Sequence, residues 1–310
     1  MIELVAQGAF REPTPGVRAL TEEVLRRHGE ATRAVVFYGS CLRRGVDEGL
    51  VDLYVLVDSY RRAHRSAFQA ALNALLPPNV YYLETRVGEQ IVRCKYAVVS
   101  LDDFCRGTTP RWFHSYLWGR FCQPAGLVYA CDRGTADRVL EAFGQAVLTF
   151  VRRALPQAPE RFTAAELWRR GLELSYRCEL RPEKAERVGR IYDDARPYYE
   201  EATRLALAHL PVPVEPLGGP LSSAYRARLG PGTRRRNRAG WALRAAQGKV
   251  LSVLRLVKAA FTFDGGLDYV LWKIERHSGV RAEVSDRLRR HPILAALVLS
   301  WRLYRRGAFR

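Results

Sequence analysis

A glycine–serine pair and an aspartate stand at either end of a charged loop in YGSCLRRGVDEGLVD, residues 38–52. Gly39 and Ser40 end one apolar, strand-like segment, and Asp52 lies at the start of the next. The turn offers free backbone N–H groups and a small hydroxyl, which bind phosphate oxygens. A carboxylate beside it suits a magnesium ion that bridges such oxygens. The spacing therefore predicts phosphate binding at the turn and a metal ligand at Asp52, with a plain turn and a strand-end cap as the structural alternatives.

A second carboxylate is expected two residues after the first in sites that transfer a nucleotide from a triphosphate, and that position here is Tyr54. Asp58 cannot replace it, because six residues of strand span about 20 Å. Glu84, in a neighbouring strand-like segment, is predicted to point at the same metal. Asp47 and Glu48 in the loop are looser candidates.

Lys95 lies in the middle of the strand-like segment VRCKYAVV. A charge there needs a buried partner or an anionic ligand, unless the side chain extends to an edge of the sheet. A single carboxylate would suffice if the acceptor were a phosphate monoester. Its second pKa is about 6, so it is mostly dianionic at neutral pH and needs positive charge and alignment rather than a base.

Apolar periodicity predicts the elements that position these residues. Strands are expected at 34–38, 51–57, 80–87, 90–100 and 127–131, and helices at 16–29, 63–76, 110–121, 135–154, 163–176 and 183–210. One helix among paired strands indicates a small mixed α/β sheet, followed by a helical part. The segment 226–238 is predicted to be a basic loop.

The composition indicates an anionic partner. The 310 residues carry a formal net charge of +18, and nearly all the cations are arginine, whose planar fork suits phosphate. Genomic codon bias would give the same enrichment. The six cysteines form no CxxC pair and no zinc spacing, which predicts reduced thiols in the cytoplasm. We expect no targeting segment at the N-terminus and, because no apolar run reaches about 20 residues, no membrane-spanning helix.

The C-terminal third predicts helices that lie in the plane of a membrane. Helical spacing places one set of apolar residues on a single face, flanked by Arg244, Arg255 and Lys258. The set comprises Leu243, Val250, Leu254, Val257 and Phe261. The final run, 291–310, combines apolar residues with Trp301, Tyr304 and arginines, as interfacial helices do. Two ordinary buried helices are the alternative.

These motifs, taken in order, resemble the mitochondrial phosphatidate cytidylyltransferases, which are peripheral CDP-diacylglycerol synthases of the translocator-assembly-and-maintenance family. The resemblance rests on YGS, VDLYVLVD, VYY (80–82), KYAVVS, YLWGRFCQP and ELSYRCELR, and on the basic segment 241–275. It implies a nucleotidyltransferase-like mixed sheet in residues 1–134, a helical domain in 135–210, a Pro/Gly/Arg-rich linker in 211–240 and a membrane-associating amphipathic region in 241–310. The family's asparagine after the tyrosine pair is not evident, because Leu83 and Glu84 follow.

The resemblance also implies magnesium-dependent transfer of CMP from CTP to phosphatidic acid, with release of pyrophosphate. Asp52 and Lys95 are then catalytic, and phosphates are bound by Gly39, Ser40, Arg120, Tyr176 and Arg181. The protein is expected to lie on the inner face of the membrane. Another phosphorylated lipid, a soluble phosphate or RNA remains open as acceptor. An inactive nucleic-acid-binding protein is a different class, although aromatic residues are not interleaved with basic ones as a single-strand platform requires. A purely structural membrane-surface protein is a further class, which leaves the Gly-Ser turn, Asp52 and Lys95 unexplained.

Overall fold

The computed structural model describes residues 1–46, 49–179, 185–219 and 223–262. The strands are β1 (Thr32–Tyr38), β2 (Leu50–Val57), β3 (Asn79–Val87), β4 (Gln90–Ser100), β5 (Gly126–Ala130), β6 (Arg161–Thr163), β7 (Val214–Pro216) and β8 (Ala224–Ala227). The helices are α1 (Ile2–Ala9), α2 (Pro15–His28), α3 (Ser40–Arg44), α4 (Tyr60–Ala63), α5 (Ala67–Leu75), α6 (Leu101–Gly107), α7 (Trp118–Phe121), α8 (Arg133–Ala154), α9 (Ala164–Tyr176), α10 (Ala185–Asp193), α11 (Arg196–His209) and α12 (Pro231–Thr262).

Five strands form one mixed sheet in the order β3-β4-β2-β1-β5, as predicted. Only β2 and β4 run parallel, and the other neighbours are antiparallel. The strand β2 reads LVDLYVLV without polar alternation because its apolar side chains are buried on both faces of the sheet. A smaller sheet of β6, β8 and β7 was not predicted, since its strands have only three or four residues.

The two faces of the large sheet belong to separate cores. Val35, Leu53 and Val98 pack on one face, in a cluster that includes apolar residues of α2. Val36 and Tyr54 pack on the other, with α7, α8 and α9. This second face carries the candidate site. The helical part therefore packs directly against the strand residues next to the predicted chemistry.

Helix ends follow local signals in the sequence. Helix α9 begins with a full capping box, in which Thr163 and Glu166 exchange hydrogen bonds with each other's backbone N–H groups. Helix α8 begins where the Asp132 carboxylate accepts a hydrogen bond from the Thr135 N–H at 2.7 Å. Both ends agree with the predicted helices within one or two residues.

Three predicted segments differ. The helix expected at 110–121 is helical only at Trp118–Phe121, and the helix α6 before it was missed. The helix expected at 183–210 is two helices, and Arg196 and Pro197 begin the second. The basic loop expected at 226–238 was wrong, because β8 occupies its first residues and α12 begins at Pro231.

The described part of α12 is a 32-residue helix that runs across the domain surface. The side chains of Arg234, Asn237 and Trp241 hold its first half to backbone carbonyl groups at the end of α8 and just beyond it. Its last turns lie against the start of β3, where the Lys258 ammonium donates to the Pro78 carbonyl at 2.7 Å. The terminal run 291–310 lies outside the described residues.

The apolar set predicted for this helix does share one face, and that face is exposed. Leu243, Val250, Leu254, Val257 and Phe261 are 49–62% exposed, and we call them the apolar stripe. The predicted position of the cations was wrong, because they face the protein rather than flank the stripe in solvent. Arg244 is 2% exposed and Lys258 is 7% exposed. This inward arrangement arises because their nitrogens bind carbonyl groups of the underlying chain.

Candidate active site

A row of four polar side chains crosses the sheet on the face that packs against the helical part. The strand register pairs Tyr38 with Asp52, Asp52 with Lys95, and Lys95 with Tyr82. Directly paired residues project to the same side of a sheet, so the four side chains share one face. The structure therefore brings Asp52 and Lys95 together on adjacent parallel strands.

The turn after β1 places its backbone against the Asp52 carboxylate. Gly39 has φ +89, and a Cβ atom added there would lie 3.1 Å from Asp52 Oδ2. Ser40 follows as the first residue of the five-residue α3. Glycine is required here both by the left-handed backbone and by the close approach. The predicted phosphate turn and the predicted metal ligand are thus neighbours.

Asp52 is a partly buried carboxylate that accepts no hydrogen bond and forms no ion pair with the described residues. Burial raises its pKa, and the positive charges of Lys95, Arg120 and Arg43 partly offset this shift. A buried charge without hydrogen-bond donors is costly. The carboxylate is therefore available to a ligand, and the three cations around it would favour a metal ion only together with an anionic substrate.

Arg120 lies deep in the same region, but the protein already uses its guanidinium. It donates to Glu179 at 2.6 Å and to the Tyr116 carbonyl at 3.1 Å. Charge from Glu179 raises the pKa of Arg120 against the effect of burial. Arg120 could therefore bind a phosphate directly, as predicted, only if its contact with Glu179 rearranged. Its electrostatic effect on Asp52 requires no such rearrangement.

Tyr116 is sandwiched between two guanidinium groups. Arg120 lies 4.0 Å and Arg255 4.2 Å from the centre of its ring. Two cations at this distance cannot share one face of a ring, so they lie on opposite faces. Burial alone would raise the pKa of Tyr116, yet the charges of Arg120, Arg255 and Lys95 lower it. The site thus holds more positive charge than Asp52 and Glu179 balance.

Glu84 is not brought to Asp52. It lies on β3, two strands from β2, in register with Arg93 rather than with Lys95. Its carboxylate lies 3.3 Å from Arg93 Nε and accepts a hydrogen bond from the Tyr82 hydroxyl at 3.1 Å. Among the residues that the structure describes, no group of three or more acidic, histidine or cysteine side chains could hold a metal. Asp47 and Glu48 lie outside those residues.

Tyr54 occupies the position of the usual second carboxylate as a core residue. It is fully buried, and its ring packs edge-on against Tyr38 and Phe121 at 5.3 and 5.0 Å between ring centres. A carboxylate there would be buried among aromatic rings. This packing explains why the face of β2 that carries Asp52 has no second acidic residue at position 54.

The end of α9, which carries the first residues of the motif ELSYRCELR, packs against the site. Tyr176 ends that helix, and its buried hydroxyl accepts a hydrogen bond from Gln123 Nε2 at 3.4 Å. A Cβ on Gly119 would lie 2.2 Å from Ser175 Oγ, so the glycine of the glycine–arginine pair allows α7 to approach α9. Arg181 lies outside the described residues.

Four residues near the site were not predicted: Arg43, Tyr116, Glu179 and Arg255. Arg43 follows the Gly-Ser turn by one helical turn, and Tyr116 stands in the quoted motif YLWGRFCQP, so both had a local signal. Arg255 reaches the site from α12, and only tertiary packing brings it there.

The mixed sheet, the glycine turn and the partly buried carboxylate in a cationic surrounding are the arrangement that the sequence motifs predicted for a nucleotidyltransferase-like α/β fold. Residues 54–203, just under half of the chain, match the model of the family described as phosphatidate cytidylyltransferase, mitochondrial. This match is to the same family that the sequence motifs resemble. The matched range includes Lys95, Arg120 and Tyr176 but begins after Asp52.

None of the curated proteins compared with the chain matches it. Among solved structures, the chain is similar to a nucleotidyltransferase-like protein from Exiguobacterium sibiricum 255-15 at 10% identity and a TM-score of 0.25. That similarity covers 94% of this chain and 92% of the other. A likeness at this level carries no argument about the site. No helix among the described residues is long and apolar enough to cross a membrane.

Substitution of Gly39 by Ala should reduce activity by about 100-fold, because the new methyl group would press on Asp52 and strain a backbone that glycine alone adopts readily. Gly45→Ala is the matched control. Gly45 also has a positive φ, +66, but a Cβ there meets nothing within 4 Å. Both variants should lose about 1 kcal/mol of stability in urea unfolding. Equal activity of the two would show that close approach to Asp52 is not needed.

Proposed function

We propose that the protein is a magnesium-dependent phosphatidate cytidylyltransferase, which transfers CMP from CTP to phosphatidic acid and forms CDP-diacylglycerol and pyrophosphate. The observation that carries this proposal is a partly buried surplus of positive charge around one carboxylate beside a glycine turn. Such a surplus favours a polyanion. The family match supplies the substrate classes.

In this proposal the triphosphate lies along the turn after β1. Backbone N–H groups at Gly39 and Ser40 bind its oxygens, and the side chain of Arg43 adds positive charge on the same side. Asp52 is the carboxylate that would hold the metal, with phosphate oxygens and water completing the coordination, as is usual for magnesium. When bound, the metal would neutralise charge on the phosphate oxygens and fix their orientation.

Lys95 acts on the other side of Asp52, where it stabilises the negative charge of the transferring group. Arg120 adds long-range positive charge while Glu179 holds its side chain in place. No general base is required, because the acceptor phosphate is already dianionic at neutral pH. The presence of Tyr54 rather than a second acid is compatible with such an acceptor.

The outward-facing apolar stripe supports a location at a membrane surface. A soluble helix normally turns its apolar face inward, whereas α12 buries cations and exposes large apolar side chains. In this proposal residues 1–134 supply the transferase sheet, 135–210 the helical wall, 211–240 the link and 241–310 the lipid contact. The protein would then be peripheral on the inner face of the membrane.

The test is transfer of label from each of the four nucleoside triphosphates, labelled at the α-phosphate, to phosphatidic acid in mixed micelles with magnesium. We expect a labelled lipid from CTP only. Label transferred to RNA or to a soluble phosphate, but not to lipid, would mean that the protein is a nucleotidyltransferase with a different acceptor. Salt-sensitive RNA binding without any turnover would favour the nucleic-acid-binding class instead.

A further inference from the structure

Helix α12 contributes one cation to the active site itself. Of its inward-facing cations, Arg244 lies between the rings of Phe113 and Trp241, and Lys258 binds backbone carbonyl groups. Arg255 instead stacks on Tyr116, beside the residues around Asp52. It is fixed by one hydrogen bond, from its Nε to the Pro77 carbonyl at 3.1 Å.

The two guanidinium groups that stack on Tyr116 differ in whether their terminal N–H donors are already used by protein oxygens. Both terminal nitrogens of Arg120 donate to protein oxygens, one to Glu179 and one to the Tyr116 carbonyl. The terminal nitrogens of Arg255 donate to none of the described residues. Lys95 likewise forms no hydrogen bond or ion pair within the described part of the chain. On the β4 side of Asp52, Lys95 and Arg255 therefore have donors that none of the described residues uses.

The order of the strands separates these free cations from the phosphate turn. Gly39 directly follows β1, which lies on one side of Asp52. Lys95 lies on β4, which is on the other side. Helix α12 reaches the site across the β3 edge, beyond β4. Attacking and leaving oxygens must be roughly in line in a phosphoryl-type displacement. If the leaving pyrophosphate lies at the glycine turn, the acceptor enters from the side of Lys95 and Arg255.

On the basis of the proposed function, we infer that Lys95 and Arg255 form the binding site for the phosphate monoester of the acceptor. The acceptor oxygen forms the new bond to the α-phosphorus of the nucleotide as the bond to pyrophosphate breaks, and no proton need be removed. The two cations hold the acceptor dianion in line and reduce its repulsion from the triphosphate. Because Arg255 and the apolar stripe share one helix, a lipid headgroup would meet this arginine as it leaves the bilayer surface.

The test compares Arg255→Gln and Arg255→Lys with Lys249→Gln, which removes an equal charge from an exposed position on the same helix. The KM for phosphatidic acid in mixed micelles should rise at least tenfold in Arg255→Gln, since the variant loses a charged hydrogen-bond donor to the acceptor phosphate. Arg255→Lys should recover part of the loss, and Lys249→Gln should match the wild type.

CTP binding is measured separately, as the rise in melting temperature that CTP and magnesium cause without acceptor. This rise should be the same in Arg255→Gln and the wild type. A lost CTP response, or an unchanged acceptor KM, would overturn the assignment, and the melting temperature itself reveals a variant that fails to fold. Glycerol 3-phosphate as acceptor distinguishes a free phosphate from a lipid headgroup: the same Arg255 dependence is expected, at a higher KM. A wild-type protein that binds CTP but labels no phosphate acceptor would refute the proposed function, and this inference with it.

Discussion

Asp52→Asn should abolish CMP transfer, with a loss on the order of 1,000-fold or more, while the protein becomes more stable to heat. The activity falls because an amide of the same shape lacks the charge that holds a metal, and such charge stabilisation contributes several kcal/mol to the transition state. The stability rises because the wild-type carboxylate is partly buried without a hydrogen-bond donor among the described residues, and its pKa is raised. A variant that is inactive because it unfolds more easily would instead show a lower melting temperature than the wild type.

The pH dependence of this stability difference has a definite sign. Burial raises the pKa of Asp52 above its unfolded value of 3.8, so the folded protein resists ionising this group. The resulting cost is absent below the unfolded pKa, and it grows as the pH rises through that value to the folded pKa. The melting temperature of Asp52→Asn should therefore exceed that of the wild type at pH 7 and approach it near pH 4.

Glu84→Gln provides the comparison for this experiment. Glu84 is half exposed and paired with Arg93, so its loss should change transfer by no more than about threefold. Activity is measured as labelled lipid, and unfolding by calorimetry in the same buffer. A Glu84→Gln variant as inactive as Asp52→Asn would mean that Glu84 does join the metal site, contrary to the strand register. An active Asp52→Asn variant would refute the role of Asp52.

Replacing two residues of the apolar stripe should weaken binding to vesicles by about 100-fold. Val250 and Val257 are 59% and 57% exposed, so Val250→Gln/Val257→Gln removes little from the folded core. Each buried valine side chain contributes about 1.5 kcal/mol to transfer out of water, and two of them account for roughly two orders of magnitude. The measurement is sedimentation with vesicles of phosphatidylcholine containing phosphatidic acid.

A matched control changes two exposed apolar residues at the other edge of the sheet. Ile2 and Phe10 are 51% and 61% exposed, on α1 and directly after it, and Ile2→Gln/Phe10→Gln should bind vesicles like the wild type. Equal binding by all three proteins would refute lipid contact through the stripe. A stripe variant that changes from dimer to monomer without vesicles would show that a second copy of the chain covers this face.

Local sequence features determined much of the fold and part of the site. The apolar runs of β1 and β2 predicted buried strands, and Gly39 predicted a tight turn between them, because strand propensity and glycine conformation act over a few residues. The helix α6 also had a local signal that was not used. Ser100 precedes Asp103 by three residues and accepts its N–H, which is a typical helix start.

The sequence by itself therefore determined the elements, the glycine turn, Asp52 and the composition of the apolar stripe. Only the tertiary structure decided which side chains surround the carboxylate. Strand register directed Glu84 to Arg93, and the docking of α12 brought Arg255 to Tyr116 and turned Arg244 and Lys258 inward. These outcomes depend on contacts between residues far apart in the chain. Hydrophobic periodicity cannot predict these contacts. It indicates which face of a helix or strand is apolar, but not which residues either face will contact.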